Sequence, residues 1–296
     1  MVLISDSFRT RLRDIMFGRP KIAVVSEEKL NESTFPPIFL VGTFRSGTTL
    51  MRYFLDSHNH ICCPPETKFL LPLAQMCKDK NILQATESLG FDEFFLRNQC
   101  RTFANKFFDA YRVAKNKARW ADKTPEYVRI LDFIEELYGP SCQYVILYRN
   151  GLDVAHSMNT TLIEPLGPDK TLEKAFEYWK QDTEIMHAWE QAHAERCFVI
   201  RYESLCHDLV PTLEKLFQFL HEPWDEGVLR WYEKGHDRGC EDIKARRQRK
   251  IKISHGNFKD WDKAVIENFK NRSRELHEAI GYDPELLLPR ETPITR

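Results

Sequence analysis

Residues 38 to 57, IFLVGTFRSGTTLMRYFLDS, constrain the fold of this chain more than any other segment. Residues 38 to 41 are a short apolar run typical of a buried strand, and an apolar helical face follows at Leu50, Met51, Phe54 and Leu55. Gly42 and Gly47 bracket the turn between them, where glycine lets the backbone approach a ligand closely. Because the first amides of a helix carry positive charge, the segment predicts a strand, an anion-binding turn and a helix in succession.

The turn differs from the nucleotide triphosphate loop G-x-x-x-x-G-K-[ST] at one decisive position. Thr48 stands where lysine would follow the second glycine, and Arg45 is the only cation inside the turn. Without that lysine, a γ-phosphate and its magnesium lose their usual partners, which disfavours a kinase. We expect Thr48 and Thr49 to cap the new helix and to offer hydroxyls. The alternative is a turn whose glycines serve packing alone.

A second anion-binding pattern lies at residues 145 to 158, VILYRNGLDVAHSM. Arg149 ends an apolar strand, and Ser157 follows eight residues later on the next helix. A strand end and a helix can hold a guanidinium and a hydroxyl around one phosphate. The alternative is that Arg149 pairs with Asp153.

Short apolar strands alternate with amphipathic helices along the chain, which predicts a single α/β domain around a parallel sheet. Strands are expected at 38–41, 61–63, 144–148 and 197–202. Helices are expected at 68–77, 83–118, 126–138, from 151, at 171–194 and 211–221, and finally before 281. The many aromatic residues of 83–118 are expected in the core, although an acceptor cleft could use some of them.

Composition indicates an enzyme of the cytoplasm rather than a nucleic-acid or membrane protein. The 43 basic and 44 acidic residues give a net charge of −1, which attracts neither nucleic acid nor membrane. Residues 1 to 35 mix charged and apolar positions, so we expect a helical extension and no membrane span. The eight cysteines show no C-x-x-C spacing, and His58 and His60 lack a second ligand pair. We therefore expect reduced thiols and no metal; the oligomeric state is not indicated.

Both anion-binding patterns resemble elements of sulfotransferases that use 3′-phosphoadenosine 5′-phosphosulfate (PAPS). FRSGTT resembles their 5′-phosphosulfate loop, and VILYRNGLDVAHSM resembles their 3′-phosphate-binding element, in the same order and setting. The resemblance implies a sulfotransferase fold over residues 36 to 296 with a P-loop-like central sheet, and adenosine 3′,5′-bisphosphate as the product. It assigns cofactor binding to Arg45, Ser46, Gly47, Thr48, Thr49, Leu50, Arg149 and Ser157.

Three shorter motifs resemble the tyrosylprotein branch of the superfamily and its bacterial relatives. CPPETKF implies that Glu66 is the base, WADKTPEY places Lys123 at the transferring group, and RYESL implies that Tyr202 contacts the nucleotide. Arg45 would act beside Lys123 as the second catalytic cation. Read without the family, Glu66 would be a carboxylate at the start of the helix over 68–77.

The basic run KARRQRKIK, residues 244 to 252, resembles a sulfotransferase loop that folds over the 3′-phosphate. On that resemblance we assign Lys250 and Lys252 to the cofactor; the alternative is a solvated surface segment. The chain departs from the cytosolic branch at Leu50, where that branch has a tryptophan, and in lacking its threonine-histidine segment. We also expect no N-terminal membrane anchor of the kind typical of tyrosylprotein enzymes.

These patterns predict in-line transfer of a sulfuryl group from PAPS to a hydroxyl or amine, with Glu66 as base and no metal. We expect a small-molecule acceptor of secondary metabolism, bordered by residues 162–168 and by the aromatic segment after Phe91. A carbohydrate or a peptidyl tyrosine is the alternative acceptor. A nucleotide kinase, or an adenine-nucleotide-binding protein without catalysis, is the alternative of another class.

Overall fold

The computed structural model describes residues 33–161, 164–237, 239, 249–251 and 254–290. The expected helical extension therefore lies, as far as residue 32, outside the described residues.

A five-stranded parallel sheet forms the centre of the fold. Its strands are β1 (Ile38–Val41), β2 (Ile61–Cys62), β3 (Arg119–Asp122), β4 (Gln143–Tyr148) and β5 (Cys197–Arg201). The order is β2-β3-β1-β4-β5, so β1 lies between β3 and β4, with Ile38 beside Ala121 and Gln143. This topology confirms the expected single α/β domain.

Helices cover both faces of the sheet. They are α1 (Thr48–Ser57), α2 (Leu70–Lys78), α3 (Lys80–Ser88), α4 (Glu93–Ala114), α5 (Leu131–Tyr138), α6 (Gly151–Thr160), α7 (Leu172–Ala192), α8 (Tyr202–His207), α9 (Leu209–Phe219) and α10 (Lys263–Ala279). Alternate residues of β1 face opposite sides, so Phe39 and Val41 join one buried cluster while Ile38 and Leu40 join another. Among the described helices, none is long and apolar enough to cross a bilayer.

The helical pattern expected over residues 83–118 is divided between two helices, and the second of them ends at Ala114. The chain breaks between α3 and α4, where Gly90 has a φ of 87° and the Asp92 side chain accepts a hydrogen bond from the amide of Phe95. The expected core role of the aromatic residues is wrong for most of them. Phe108 and Tyr111 are buried, whereas five others are 39–71% exposed: Phe91, Phe94, Phe95, Phe103 and Phe107.

The sequence expectations did not include β3, whose ends carry opposite charges. Arg119 is 1% exposed and donates to the carbonyls of Pro36 and Leu220. Asp122, at the other end, accepts a hydrogen bond from the Thr67 hydroxyl. Because distant partners satisfy both charges, the strand is fully buried despite its polar sequence.

Candidate functional site

The predicted site residues follow the carboxyl ends of five parallel strands. Arg45 follows β1, Glu66 follows β2, Lys123 follows β3, Arg149 follows β4, and Tyr202 follows β5. In parallel α/β sheets, ligands bind at the carboxyl ends of the strands, beside the strand at which the order of the strands reverses. Here β1 is that strand, so the turn after it lies at the middle of the edge.

The turn after β1 exposes the first amides of α1. Gly47 precedes the helix with a φ of 100°, and no side chain caps this end. The expectation that Thr48 and Thr49 cap the helix is wrong, because Thr48 is already its first residue. A Cβ on Gly47 would lie 2.5 Å from Cδ2 of Tyr202, so the close packing at this position requires glycine. Uncapped amides and the helix dipole together favour an anion here.

Arg45 joins this turn to the segment after β4. Its Nε donates to Oγ of Ser157 over 2.9 Å, and its carbonyl accepts from Nη1 of Arg149 over 2.6 Å. Arg45 itself has a φ of 68°, an uncommon conformation for a residue with a side chain. The structure thus brings Arg45 together with two predicted phosphate-binding residues, Arg149 and Ser157, that follow it by more than a hundred positions in sequence.

A buried carboxylate behind the turn holds its backbone. Asp182 of α7 accepts from Oγ1 of Thr43 over 2.9 Å and from Nε of Arg129 over 3.1 Å. Burial raises the pKa of Asp182 to about 6, although Arg129 and Thr43 lower it. The Ser46 hydroxyl donates to the carbonyl of Thr43, so its hydrogen is already used within the turn. Sequence reasoning missed Asp182 because its partners are far away in the chain.

Arg149 is a buried cation held by backbone carbonyls. It is 6% exposed and donates to the carbonyls of Arg45 and Ser254, while its plane lies 4.4 Å above the ring centre of Tyr202. Its Nε is buried without a hydrogen-bond partner. In the described part of the chain Arg149 forms no ion pair. A buried guanidinium with an unused donor is suited to an anionic ligand.

Asp153 does not pair with Arg149, contrary to the alternative drawn from sequence. Its carboxylate accepts from the amides of Gly256 and Asn257 and lies 3.1 Å from Nδ1 of His255. Asp153 thereby fixes the segment that follows the basic run against α6. This role had no signal in the sequence.

Glu66 and Lys123 form an ion pair at the same edge. Nζ of Lys123 donates to Oε1 of Glu66 over 2.6 Å, and the two side chains are 1% and 9% exposed. Since α2 begins only at Leu70, Glu66 lies before its first turn and does not act as a helix-end carboxylate. Asp122 precedes Lys123 in the chain. Burial raises the pKa of Asp122 to about 6, although hydrogen bonds from two threonines lower it.

The remaining predicted residues are placed as follows. The Leu50 side chain is buried in the core, and Thr49 is half-buried. Lys250 is exposed. Lys252, the basic residues at 244, 246 and 247, and the acceptor-wall positions 162 and 163 lie outside the described residues.

The candidate metal ligands have other partners. His58 bonds to the carbonyl of Pro223, and His60 pairs with Glu222. A second group brings ligand atoms within 4.8 Å of one another at Asp153, Glu203 and His255. The carboxylate of Glu203 already accepts from the amide of Asn150 and the hydroxyl of Tyr282. These contacts account for the histidines and acids without a cation.

Curated relatives of this chain include protein-tyrosine sulfotransferases and a nodulation protein. A protein-tyrosine sulfotransferase of Drosophila melanogaster is 28% identical over 201 residues, which cover 66% of this chain and 40% of that protein. A nodulation protein of Sinorhizobium fredii is 35% identical over 130 residues, which cover 42% of this chain and 31% of that protein. The chain therefore spans less than half the length of either relative.

A solved structure shares the fold. The sulfotransferase domain of the olefin synthase from Synechococcus PCC 7002 superposes with a TM-score of 0.62 at 21% identity, over 86% of this chain and 98% of that domain. The family model described as the sulfotransferase family matches residues 36–226. The chain belongs to the sulfotransferase family.

Proposed function

We propose that this protein transfers a sulfuryl group from PAPS to a hydroxyl or amine of a small-molecule acceptor. The observation that carries the proposal is the buried Arg149, which has an unused donor and no carboxylate partner in the described chain. It lies beside the uncapped start of α1, so two independent features favour an anion at one edge of the sheet.

PAPS, the sulfuryl donor, would bind at this edge of the sheet through two groups of residues. The turn around Arg45 and Gly47 would hold its phosphosulfate, and Arg149 with Ser157 would hold its 3′-phosphate. Bound PAPS supplies a sulfuryl group on a phosphate leaving group. The ring of Tyr202 packs between Gly47 and Arg149, which keeps the two phosphate positions at a fixed separation. Lys250 and Lys252 remain candidates for further cofactor contacts.

Glu66 and Lys123 supply the chemistry of transfer in this proposal. Glu66 takes the proton of the acceptor hydroxyl or ammonium, and a base in position is worth roughly 10² to 10⁴ in rate. Lys123 keeps two further N–H donors beyond the one that bonds to Glu66, and these can stabilise charge as it moves to the leaving oxygen. The hydrogen bond between Lys123 and Glu66 thus keeps the proposed base and the proposed catalytic cation at a fixed distance from each other.

An apolar surface near Glu66 supports an acceptor with an aromatic or alkyl part. Phe69, three residues after Glu66, contacts the rings of Phe103 and Phe107 at centre distances of 6.2 and 5.5 Å. Those two rings are 46% and 55% exposed, which is unusual for phenylalanine. A peptidyl tyrosine or a carbohydrate is the second candidate acceptor, and the name of the Drosophila melanogaster relative favours the tyrosine.

Binding and transfer assays test the proposal in order. Adenosine 3′,5′-bisphosphate without metal should stabilise the protein by about 2.7 kcal/mol at a hundredfold excess over its dissociation constant. ATP with magnesium should stabilise it less, because Thr48 replaces the kinase lysine. Labelled PAPS should then transfer to one member of a panel of phenols, alkyl alcohols, amines, sugars and tyrosyl peptides. An unchanged melting temperature at millimolar bisphosphate would contradict the proposal, and preference for ATP with magnesium would favour a kinase.

The cytoplasmic location and a role in secondary metabolism belong to the same proposal. A small metabolite acceptor and PAPS would meet in the cytoplasm, where the dispersed cysteines stay reduced. Seven cysteines in the described residues are free thiols. Fractionation of the native host, followed by detection of the protein, tests the location.

A further inference from the structure

Arg52 is a buried arginine in the helix that starts at the phosphate turn. Its side chain is 0% exposed within α1, among apolar neighbours. Its Nε donates to the carbonyls of Cys63 and Pro64 over 3.0 and 2.8 Å. Both carbonyls lie in the segment that leads from β2 to Glu66. A buried guanidinium is costly unless such bonds satisfy it, so these contacts define where the segment lies.

Asp56, one helical turn later, bonds to the same segment. Its Oδ1 accepts from the amide of Cys63 over 3.0 Å, and its Oδ2 lies 2.6 Å from Nδ1 of His236. Burial raises the pKa of Asp56, but His236, Arg52 and the Cys63 amide together lower it below its ordinary value. Both backbone polar groups of Cys63 are therefore bonded to side chains of α1.

A segment from the last third of the chain closes over this arrangement. Arg52 also donates from Nη2 to the carbonyl of Asp237, whose carboxylate accepts from the Tyr111 hydroxyl. Gly239 packs on Pro65 so closely that a Cβ would lie 2.6 Å from the Cβ of Pro65. Residues 63 to 65 are thus held between α1 and the segment around Asp237.

We propose that Arg52 and Asp56 are positioning residues that set Glu66 relative to the phosphate turn. The inference rests on the proposed function, in which Glu66 is the base. Because α1 begins at Thr48, directly after the phosphate turn, and holds Cys63 and Pro64, one rigid helix fixes the distance between the donor site and the loop of the base. Transfer rates are sensitive to this distance, since a displacement of 1 Å can cost about 10²-fold.

The test compares Arg52→Lys with Arg119→Lys. Lysine keeps the charge but cannot reach several carbonyls with a rigid fork. Arg119 is the matched control because it is equally buried and also bonds backbone carbonyls, but it lies at the start of β3, on the opposite edge of the sheet. We expect Arg52→Lys to lower single-turnover transfer at least about tenfold with bisphosphate affinity unchanged. Arg119→Lys should lower the melting temperature alone.

A double-mutant cycle shows whether Arg52 acts through Glu66. In a Glu66→Gln background, Arg52→Lys should cost little further rate, because the base it positions is already lost. Equal losses in both backgrounds, or equal rate losses for Arg52→Lys and Arg119→Lys, would overturn the proposal. Asp56→Asn should behave more mildly than Asp56→Ala, since an amide oxygen can still accept from Cys63.

A third measurement does not depend on transfer. Cys63 is fully buried, so its alkylation, followed by mass spectrometry of the native protein, reports loosening of the segment. Arg52→Lys should speed alkylation of Cys63 at least about tenfold, whereas Arg119→Lys should not. Unchanged protection of Cys63 in Arg52→Lys would overturn the inference even if no acceptor is transferred by the wild type. Absence of transfer with the expected loosening would instead count against the proposed function.

Discussion

Lys123 donates a 2.6 Å hydrogen bond to Glu66 at an edge of the sheet where both side chains are almost fully shielded from water. Pairing of this kind holds two ionised groups in a fixed geometry, and removing one partner leaves the other buried without compensation. The pair follows β2 and β3, which are neighbours in the sheet. Substitution of either residue can therefore be tested for its effect on transfer and, separately, for its effect on the free energy of unfolding.

Glu66→Gln should keep the affinity for adenosine 3′,5′-bisphosphate and lower kcat by about 10² or more, because an amide cannot accept the acceptor's proton. Single-turnover transfer and calorimetric binding measure the two effects. Glu126→Gln is the control, since Glu126 pairs with Lys68 at 2.9 Å close by but has no role in the proposed chemistry. Near-normal turnover of Glu66→Gln would remove the assignment of the base and turn attention to Asp122, His58 or His60.

Arg149→Ala should weaken bisphosphate binding by roughly 2 to 5 kcal/mol, because the lost contact is a buried charge-assisted one. Calorimetric titration at fixed salt checks the change. Arg196→Ala is the control: Arg196 forms an ion pair with Glu135 at the opposite edge of the sheet, and its loss should change stability but not affinity. Unaltered affinity in Arg149→Ala would assign Arg149 a purely structural role.

Gly47→Ala should destabilise the protein more than Gly90→Ala. Both glycines have positive φ, 100° and 87°, so each alanine incurs backbone strain of about 1–3 kcal/mol. A new Cβ at Gly47 would also meet the ring of Tyr202 at 2.5 Å, whereas nothing lies within 4 Å at Gly90. Thermal unfolding with and without bisphosphate separates the effects, and only Gly47→Ala should lose ligand stabilisation. Equal behaviour of the two variants would show that the packing of Tyr202 is dispensable.

His277 should make the free energy of unfolding depend on pH below neutrality. Burial lowers the pKa of His277 from 6.5 to about 4, and its Nε2 accepts from the amide of Gly151. Between these values the unfolded chain binds a proton that the folded chain does not, so stability falls as pH falls from 6.5 to 4, by at most about 3 kcal/mol. Denaturant unfolding at several pH values checks this.

His277→Gln is the matched variant, because its amide oxygen can accept from Gly151 without titrating. Asp122 and Asp182 have raised pKa values near 6 and act in the opposite direction, stabilising the fold as pH falls. Their contribution is common to both proteins and cancels in the difference. A pH-independent difference between wild type and His277→Gln would contradict the prediction.

The strand, turn and helix at residues 38–57 could be predicted because their signals are local. The break after α3 was also readable, since Gly90 followed by Asp92 is a helix stop and a helix start. β3 was missed because Arg119 and Asp122 look exposed until their distant partners are known. Helix capping by Thr48 was wrong because Gly47, in the left-handed conformation, precedes the helix directly.

The residues of the candidate site also divide into those with a local sequence signal and those whose partners are distant in sequence. Arg149, Ser157 and Glu66 lie in compact motifs, so short patterns identify them as candidates. Arg52 could not be recognised as more than a polar residue in an apolar helix, because its partners are backbone carbonyls at Cys63, Pro64 and Asp237, which no sequence pattern identifies. Candidate binding residues can therefore be proposed from motifs, whereas candidate positioning residues become visible only in the tertiary fold.

The contacts of Arg149 also bear on how the molecule assembles. Its guanidinium bonds to carbonyls 104 and 105 positions away on either side, at Arg45 and Ser254. Closing such long loops costs entropy that local contacts do not repay, so we expect these bonds to form late during folding. A nascent chain still lacking Ser254 would carry all the sheet strands described here but could form only one of these two hydrogen bonds of Arg149. Competence to bind the proposed nucleotide would then arise only after the sheet has formed and Ser254 has been synthesised.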